Sequence, residues 1–551
     1  VDDCRTTAPI KKEKNLRDML CHAGEAYAGR DMLRIRTEGG KVKGISHETF
    51  MRDMNALGNA LLGLGLADKK IAVIGPTSYE WLVSYFSVVC GVGVIVPIDK
   101  ELQDDEIAAI LRESGAECIV FADEYLDTMR NIKSSVRGVR HFINMGGQLD
   151  SFSKSFYEFT DQRAQYGYEE RVIDETKMCA LLFTSGTTGK SKGVMLTHKS
   201  ILAASEGGLA YLEIGRVCLS VLPVHHSFEC THGIVMMIEN GTTICINNSL
   251  RYFAENLKLF QPDAVFLVPL FIERLEYMIR KYVQQKDGGE EAFTALLEKS
   301  REELARGEDH RNEYFVDIHA LFGGNLSLLL CGGAPLPKRL MKFFRDLGIL
   351  LVTGYGITEC SPLVAVNGNR AYKDGSVGRP IPCCEVRIEN ADENGEGEIL
   401  VRGDNVMLGY YQNAAATAEA IRGGWFYTGD LGHLDSDGYL YITGRKKNLI
   451  VLQNGKNIYP EEIEDFIRQR IPYIVEIVVY APLEDGMNER TLCAELYLGE
   501  AAERERAQAS LEHDLAEANR ALPAFKRIQK IHVRDHEFEK TTKKSIKRFT
   551  V

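Results

Sequence analysis

Short runs of β-branched and aliphatic residues recur along this chain, separated by stretches with helical spacing. Strands are expected over 71–74, 94–96, 118–121, 243–246, 264–268 and 326–330, with a helix over 79–90 between the first two. Strands that alternate with helices are joined by crossovers rather than hairpins, so they line up parallel and the helices cover the sheet faces. The pattern predicts α/β layers on a largely parallel sheet. With 551 residues, the chain has room for three to four units of about 150 residues.

The texture changes twice further on. From about 377, turn pairs such as Asn394-Gly395 and Asp437-Gly438 separate short alternating runs, including 439–443, as in the hairpins of a β-rich subdomain. After Arg445 a hairpin at Asn454-Gly455, a helix over 460–470, strands over 474–480 and 492–498 and a helix over 501–522 make a small α+β unit. The expected organisation is a large N-terminal domain over 1–446, made of layered α/β subdomains with the β-rich part at about 377–446, and a small mobile C-terminal domain over 447–551. Residues 269–322 are helical and highly charged. Phe293, Leu296, Leu297 and Leu304 carry helical spacing there and are expected to face inward.

Charge and cysteine usage narrow the function. The net charge is −12, which argues against general nucleic-acid binding yet permits a local site for an anion. The 13 cysteines have no CxxC and no Cys/His spacing suited to zinc, so reduced thiols in a cytoplasmic protein are expected. Lys11, Lys12 and Lys14 are followed by no apolar run, and no signal peptide is expected. The uncharged stretch 81–98 just reaches membrane-spanning length, but Gly91, Gly93 and Pro97 interrupt it. It reads as a buried helix and strand.

One loop stands out chemically. The run 179–183 has the pattern of a buried strand and leads into TSGTTGKSKG (184–193). Glycines let backbone N–H groups converge on an anion, hydroxyls add donors and lysines add charge. The result is a phosphate cradle made of Thr184, Ser185, Gly186, Thr187, Thr188, Gly189, Lys190 and Lys192. A kinase-type P-loop would need glycine where Thr184 stands and a helix directly after the loop. Residues 194–197 read instead as a strand.

Further motifs follow in order: LPVHHSFE (222–229), CGGAP (331–335), TGYGITECSP (353–362), YTGD (427–430) with Gly444-Arg445, and NGKNI (454–458). Together with the loop, over nearly the whole chain, they resemble the adenylate-forming superfamily of acyl- and aryl-CoA synthetases, luciferases and peptide-synthetase adenylation domains. The resemblance implies ATP, Mg2+ and coenzyme A as cofactor and co-substrates. It places His226 by the carboxylate pocket, Gly333 and Ala334 beside the adenine, and Tyr355 with Gly356 on the adenine face. Thr358 approaches the α-phosphate, and Glu359 and Thr184 hold the metal. Asp430 takes the ribose hydroxyls, and Arg445 lies near ribose and phosphate. Lys447 is the hinge of the small domain, and Gly455 lines the pantetheine tunnel.

The last motif departs from the family. In FEKTTKKSIKR (538–548) the position directly before the aliphatic Ile546, where the family carries its catalytic lysine, holds Ser545. Lys543 and Lys544 lie immediately upstream, and Lys544 is expected to substitute in part. Loss of such a donor costs on the order of 10²–10³ in rate. The charged insertion at 269–322 resembles the long-chain fatty acyl-CoA synthetase branch. It implies a medium- or long-chain fatty acid as substrate. An acyl carrier protein as acceptor, a catalytically impaired nucleotide-binding homologue, peripheral contact with a membrane and a homodimer all stay open at this point.

Overall fold

In a computed structural model the described residues are 12–161, 164–184, 191–451, 457–482, 492–499, 501–540, 546 and 548. The polypeptide divides into two units, 1–385 with 401–426 and 386–400 with 427–551.

In the first unit the parallel strands form two sheets. Eight strands run in the order Gly409–Tyr410, Lys192–Thr197, Met178–Thr184, Val94–Pro97, Lys70–Ile74, Cys118–Phe121, His141–Asn144 and Ser153–Ser155. The pairs from Met178–Thr184 onward are parallel, and the first two pairs are antiparallel. Nine strands form the second sheet. Its parallel centre is Asp31–Arg36, Thr243–Ile246, Val217–Ser220, Ala264–Leu267, Leu328–Cys331 and Leu350–Gly356. The expected α/β layers are thus built on two sheets, each with a parallel centre and antiparallel strands at an edge. Strand pattern reports that a strand is buried on both faces, not which sheet it joins.

The stretch 81–98 folds as a helix, Tyr79–Ser87, then a single π turn, Val88–Val92, and the strand Val94–Pro97. The α-helix therefore ends earlier than the expected position 90. Gly93 passes so close to Lys69 that a Cβ would lie 2.2 Å from its carbonyl oxygen. Among the described residues, no helix is long and apolar enough to cross a membrane. Helix starts follow local chemistry. Ser46 caps His47–Gly63 by accepting from the Thr49 amide at 3.1 Å, and Thr197 and Ser200 form a reciprocal cap on His198–Leu209.

The charged region comprises Pro269–Val283, Gly289–Ala305, Arg311–Tyr314 and Val316–Leu321. Phe293 and Leu297 are buried in the core shared with Leu267, Leu329 and Phe344, and Leu296 packs against it. Leu304 is exposed, against expectation. It lies in the last turn of the helix, which ends at Ala305.

The strand Trp425–Leu434, which belongs to the second unit from Tyr427 on, forms a hairpin with Leu440–Arg445 that pairs Asp430 with Arg445. Its turn carries Gly438 at φ 79°, a left-handed conformation suited to glycine. Beyond it, Ile450–Val451 pairs antiparallel with Asn457–Ile458. The helices Pro460–Arg470 and Ala501–Arg520 pack with a three-stranded sheet of Glu476–Tyr480, Cys493–Tyr497 and Lys530–Arg534. The last of these strands, parallel to its neighbour, had no expectation from the sequence.

Candidate functional site

Parallel strands expose unpaired loop residues at their carboxyl ends, and ligands of open α/β sheets bind there. In the nine-stranded sheet Leu267 pairs with Cys331 and Cys331 with Thr353, so the loops after these strands leave side by side. Gly333 (φ 83°) and Ala334 occupy one loop. Tyr355 and Gly356 end the strand Leu350–Gly356, and Thr358 and Glu359 begin a single 3-10 turn, Thr358–Cys360.

This segment is held from beneath. Fully buried Asn367 donates to Thr353 Oγ1 and to the Ser376 carbonyl, both at 3.0 Å, and Thr353 Oγ1 donates to the same carbonyl at 2.8 Å. Gly356 is required by a close approach: a Cβ there would lie 2.1 Å from the Pro362 carbonyl oxygen. That oxygen accepts from the Ile357 amide at 2.8 Å.

Three of the expected motifs meet around the turn. Ser227, next to His226, donates to Thr358 Oγ1 at 3.4 Å. The Phe228 ring lies where a Cβ on Gly332 would be 3.2 Å from it. Tyr410, buried on the edge strand Gly409–Tyr410, donates through its hydroxyl to Glu359 Oε1 at 2.9 Å. The Lys192 ammonium lies 4.8 Å from the centre of the same Tyr410 ring, and Lys192 pairs with Thr184 across the adjoining strands. Burial, and then the charge of Glu359, raise the Tyr410 phenol well above its ordinary range, so it remains a donor. Tyr410 carries no motif in the sequence. It is 51 residues from Glu359, and only the sheet edge brings them together.

In the second unit, Arg445 Nε lies 2.7 Å from Asp430 Oδ1. Asp430 is buried, and its amide donates to Thr428 Oγ1 at 3.0 Å. Gly429 between them is left-handed at φ 70°. Lys447 lies in the 3-10 turn Lys446–Asn448. Burial, with Arg445 and Arg548 nearby, lowers the pKa of its ammonium. Ser185, Gly186, Thr187, Thr188, Gly189 and Lys190 lie outside the described residues, as do Gly455, Lys543, Lys544 and Ser545. Of the last motif, Lys540 is held by Glu476 at 2.6 Å and Glu537 at 2.5 Å, and it pairs antiparallel with Ile546.

Comparison with known proteins agrees with this architecture. The chain matches the family model of the AMP-binding enzyme over residues 23–411, and that of the AMP-binding enzyme C-terminal domain over 447–551. A long-chain-fatty-acid–CoA ligase of Mycobacterium bovis is 30% identical over 449 residues, spanning 77% of this chain and 72% of the relative. A long-chain-fatty-acid–[acyl-carrier-protein] ligase of Arabidopsis thaliana is 29% identical over 553 residues, spanning 85% and 74%. The crystal structure of an anthranilate CoA ligase in complex with anthranoyl-AMP superposes with a TM-score of 0.77 at 21% identity, over 98% of this chain and 97% of that one. The fold is that of the adenylate-forming enzymes. The chain belongs to the AMP-binding enzyme family, with the long-chain fatty acyl-CoA synthetases among its relatives.

Proposed function

We propose that the protein activates a medium- or long-chain fatty acid with ATP and transfers the acyl group to coenzyme A. A carboxylate is a poor electrophile, because its leaving group would be oxide. In the proposed first step a carboxylate oxygen bonds to the α-phosphorus, the bond to the β-phosphate oxygen breaks, and pyrophosphate leaves. In the second, the thiol sulfur bonds to the acyl carbon, the mixed anhydride opens, and AMP leaves. Two anions must approach in the first step, so positioning and charge neutralisation carry the catalysis.

The observation that carries the reading is the line from Lys192 through Tyr410 to Glu359, set beside Thr358 and the His226–Ser227 turn. It supplies a cation, a carboxylate and hydroxyls at the ends of the strands. Glu359 fits a hard divalent cation that is bound mainly through phosphate oxygens, which takes one or two carboxylates. Glu359 and Thr184 would hold Mg2+ there, and the metal would neutralise phosphate charge. On this reading Tyr355, Gly356, Gly333 and Ala334 seat the adenine. Asp430 takes the ribose hydroxyls, aligned by Arg445. Lys447 is the hinge, and Gly455 and the 184–193 loop complete the site. A cytoplasmic location, with peripheral contact at the membrane where such acids reside, belongs to the same reading.

The test is ATP–pyrophosphate exchange with a panel of fatty acids, followed by thioester detection by mass spectrometry. Exchange driven by C8–C18 acids, and an acyl-CoA product, are expected. No exchange with any acid would sink adenylation. The length of the Arabidopsis match favours a second reading in which a carrier protein replaces coenzyme A. A thioester formed only with a carrier protein would decide for it.

Ser545 bears on turnover. Lys540 is committed to two carboxylates, and of Lys543 and Lys544 the second, directly before Ser545, is the proposed replacement. Lys544→Ala should cut exchange on the order of 10²-fold. If it matches the parent while Ser545→Lys gains sharply, Lys544 does not fill the role.

A further inference from the structure

Two histidines and an aspartate from loops that follow strands of the two different sheets of the first unit meet. Asp99 follows Val94–Pro97 of the eight-stranded sheet, and His225 and His226 follow Val217–Ser220 of the nine-stranded sheet. His225 Nε2 is 3.2 Å from Asp99 Oδ1. The two imidazole rings lie 4.2 Å apart, centre to centre. One donor atom from each of the three residues falls within 4.8 Å of the others. His225 is only 7% exposed; its Nε2 has the Asp99 carboxylate at ion-pair distance but not in hydrogen-bond geometry, and its Nδ1 makes no hydrogen bond. A buried ring nitrogen normally has a hydrogen-bond partner, so the two on this ring call for an explanation.

The backbone holds this geometry. The His226 amide donates to the Pro223 carbonyl at 3.1 Å, and the His226 carbonyl accepts from the Cys230 amide at 2.9 Å. The Glu101 amide donates to Asp99 Oδ1 at 2.9 Å and fixes the carboxylate.

We propose that Asp99, His225 and His226 bind one borderline divalent cation of the zinc class, at a site separate from the Mg2+ that accompanies ATP. Two imidazoles and a carboxylate suit Zn2+ or Co2+, whereas Mg2+ prefers oxygen ligands throughout. With metal–donor bonds of about 2.0–2.1 Å, the donors of a tetrahedral site lie about 3.3 Å apart. Asp99 and His225 already meet that spacing, and the His226 donor lies within 4.8 Å of both. Three protein ligands leave the fourth position to water. The site's position is its functional interest: a cation there would couple the strand ends of both sheets, beside Ser227, which donates to Thr358 Oγ1.

The test uses the whole 551-residue chain, stripped with chelator and titrated with CoCl2, without acid, ATP or coenzyme A. It therefore stands or falls separately from the fatty-acid reading. The expected result is one equivalent of Co2+ with the d–d spectrum of nitrogen and oxygen ligands and no thiolate charge-transfer band. His225→Ala and Asp99→Ala should each abolish stoichiometric binding and the rise in melting temperature that Zn2+ gives the parent. Should these variants not fold, X-ray absorption on the zinc-loaded parent decides, with two imidazoles and no sulfur expected. No stoichiometric binding, sulfur ligation, or binding retained in a folded His225→Ala protein would each overturn the proposal and leave Asp99–His225 as a structural ion pair.

Discussion

Glu359 and Tyr410 show how one hydrogen bond sets the orientation of a charged group. The phenol donates to one carboxylate oxygen, and such a bond to a charged acceptor is worth about 1.5–3 kcal/mol. Tyr410→Phe keeps the ring beneath Lys192 but removes the donor. It should lower kcat/KM for pyrophosphate release by about 10–100-fold. An unchanged value would show that Glu359 orients without it. Asp430 offers a parallel case. Its carboxylate is buried against Arg445, so Asp430→Ala removes the proposed ribose acceptor and leaves the arginine without this partner. The KM for ATP should rise by at least about tenfold, the equivalent of one charge-assisted hydrogen bond. A normal KM would count against Asp430 at the nucleotide.

At the scale of elements, the strand Leu350–Gly356 carries Tyr355 to the site, and Asn367 anchors it. Asn367 also accepts from the Lys373 amide at 3.0 Å, so one buried side chain ties the strand to the 373–376 turn. Asn367→Ala would remove the acceptor that the Lys373 amide uses and one of the two partners of both the Thr353 hydroxyl and the Ser376 carbonyl, costing about 1–3 kcal/mol. Urea unfolding should show a lower midpoint with an unchanged slope. A midpoint within experimental error of the parent would mean that the strand is held by packing alone. A similar dependence surrounds Tyr168, whose hydroxyl donates to the Ser87 carbonyl at 2.9 Å. Its ring fills the space left by Gly58 and Gly91, where a Cβ would lie 2.3 Å and 2.7 Å from it.

For the molecule as a whole, buried ionisable groups shape the pH dependence of stability. Fully buried Glu229 has its pKa raised from 4.5 to about 8, chiefly by burial. The folded state keeps this proton where the unfolded state has lost it, so stability falls as pH rises from about 4.5 through 8. His198 and His232 are lowered from 6.5 to about 4, again chiefly by burial. For them the unfolded state binds the extra proton, and stability falls as pH drops from about 6.5 through 4. The two effects oppose each other below 6.5. Above it Glu229 acts without the histidines, at on the order of 2 kcal/mol between pH 6.5 and 8. Melting temperature should decline over that limb, to which Glu239, likewise raised to about 8 by burial, also contributes, and Glu229→Gln should make the decline shallower. An equally steep decline in the variant would assign it to other groups.

Local chemistry made much of this legible before any coordinates. The strand over 118–121 and the helix over 460–470 follow from β-branched runs, a proline at the helix start and turn residues that act within a few positions. The motif segments at 331–335 and 353–362 were legible through the family resemblance, which needs only a contiguous stretch of sequence. What required the tertiary structure is what depends on partners distant in sequence. These are the division of parallel strands between two sheets, the exposure of Leu304, the 51-residue contact of Tyr410 with Glu359, and the meeting of Asp99 with His225 and His226. Periodicity records which face of an element is buried, but the partner that buries it is chosen by the packing of the whole core.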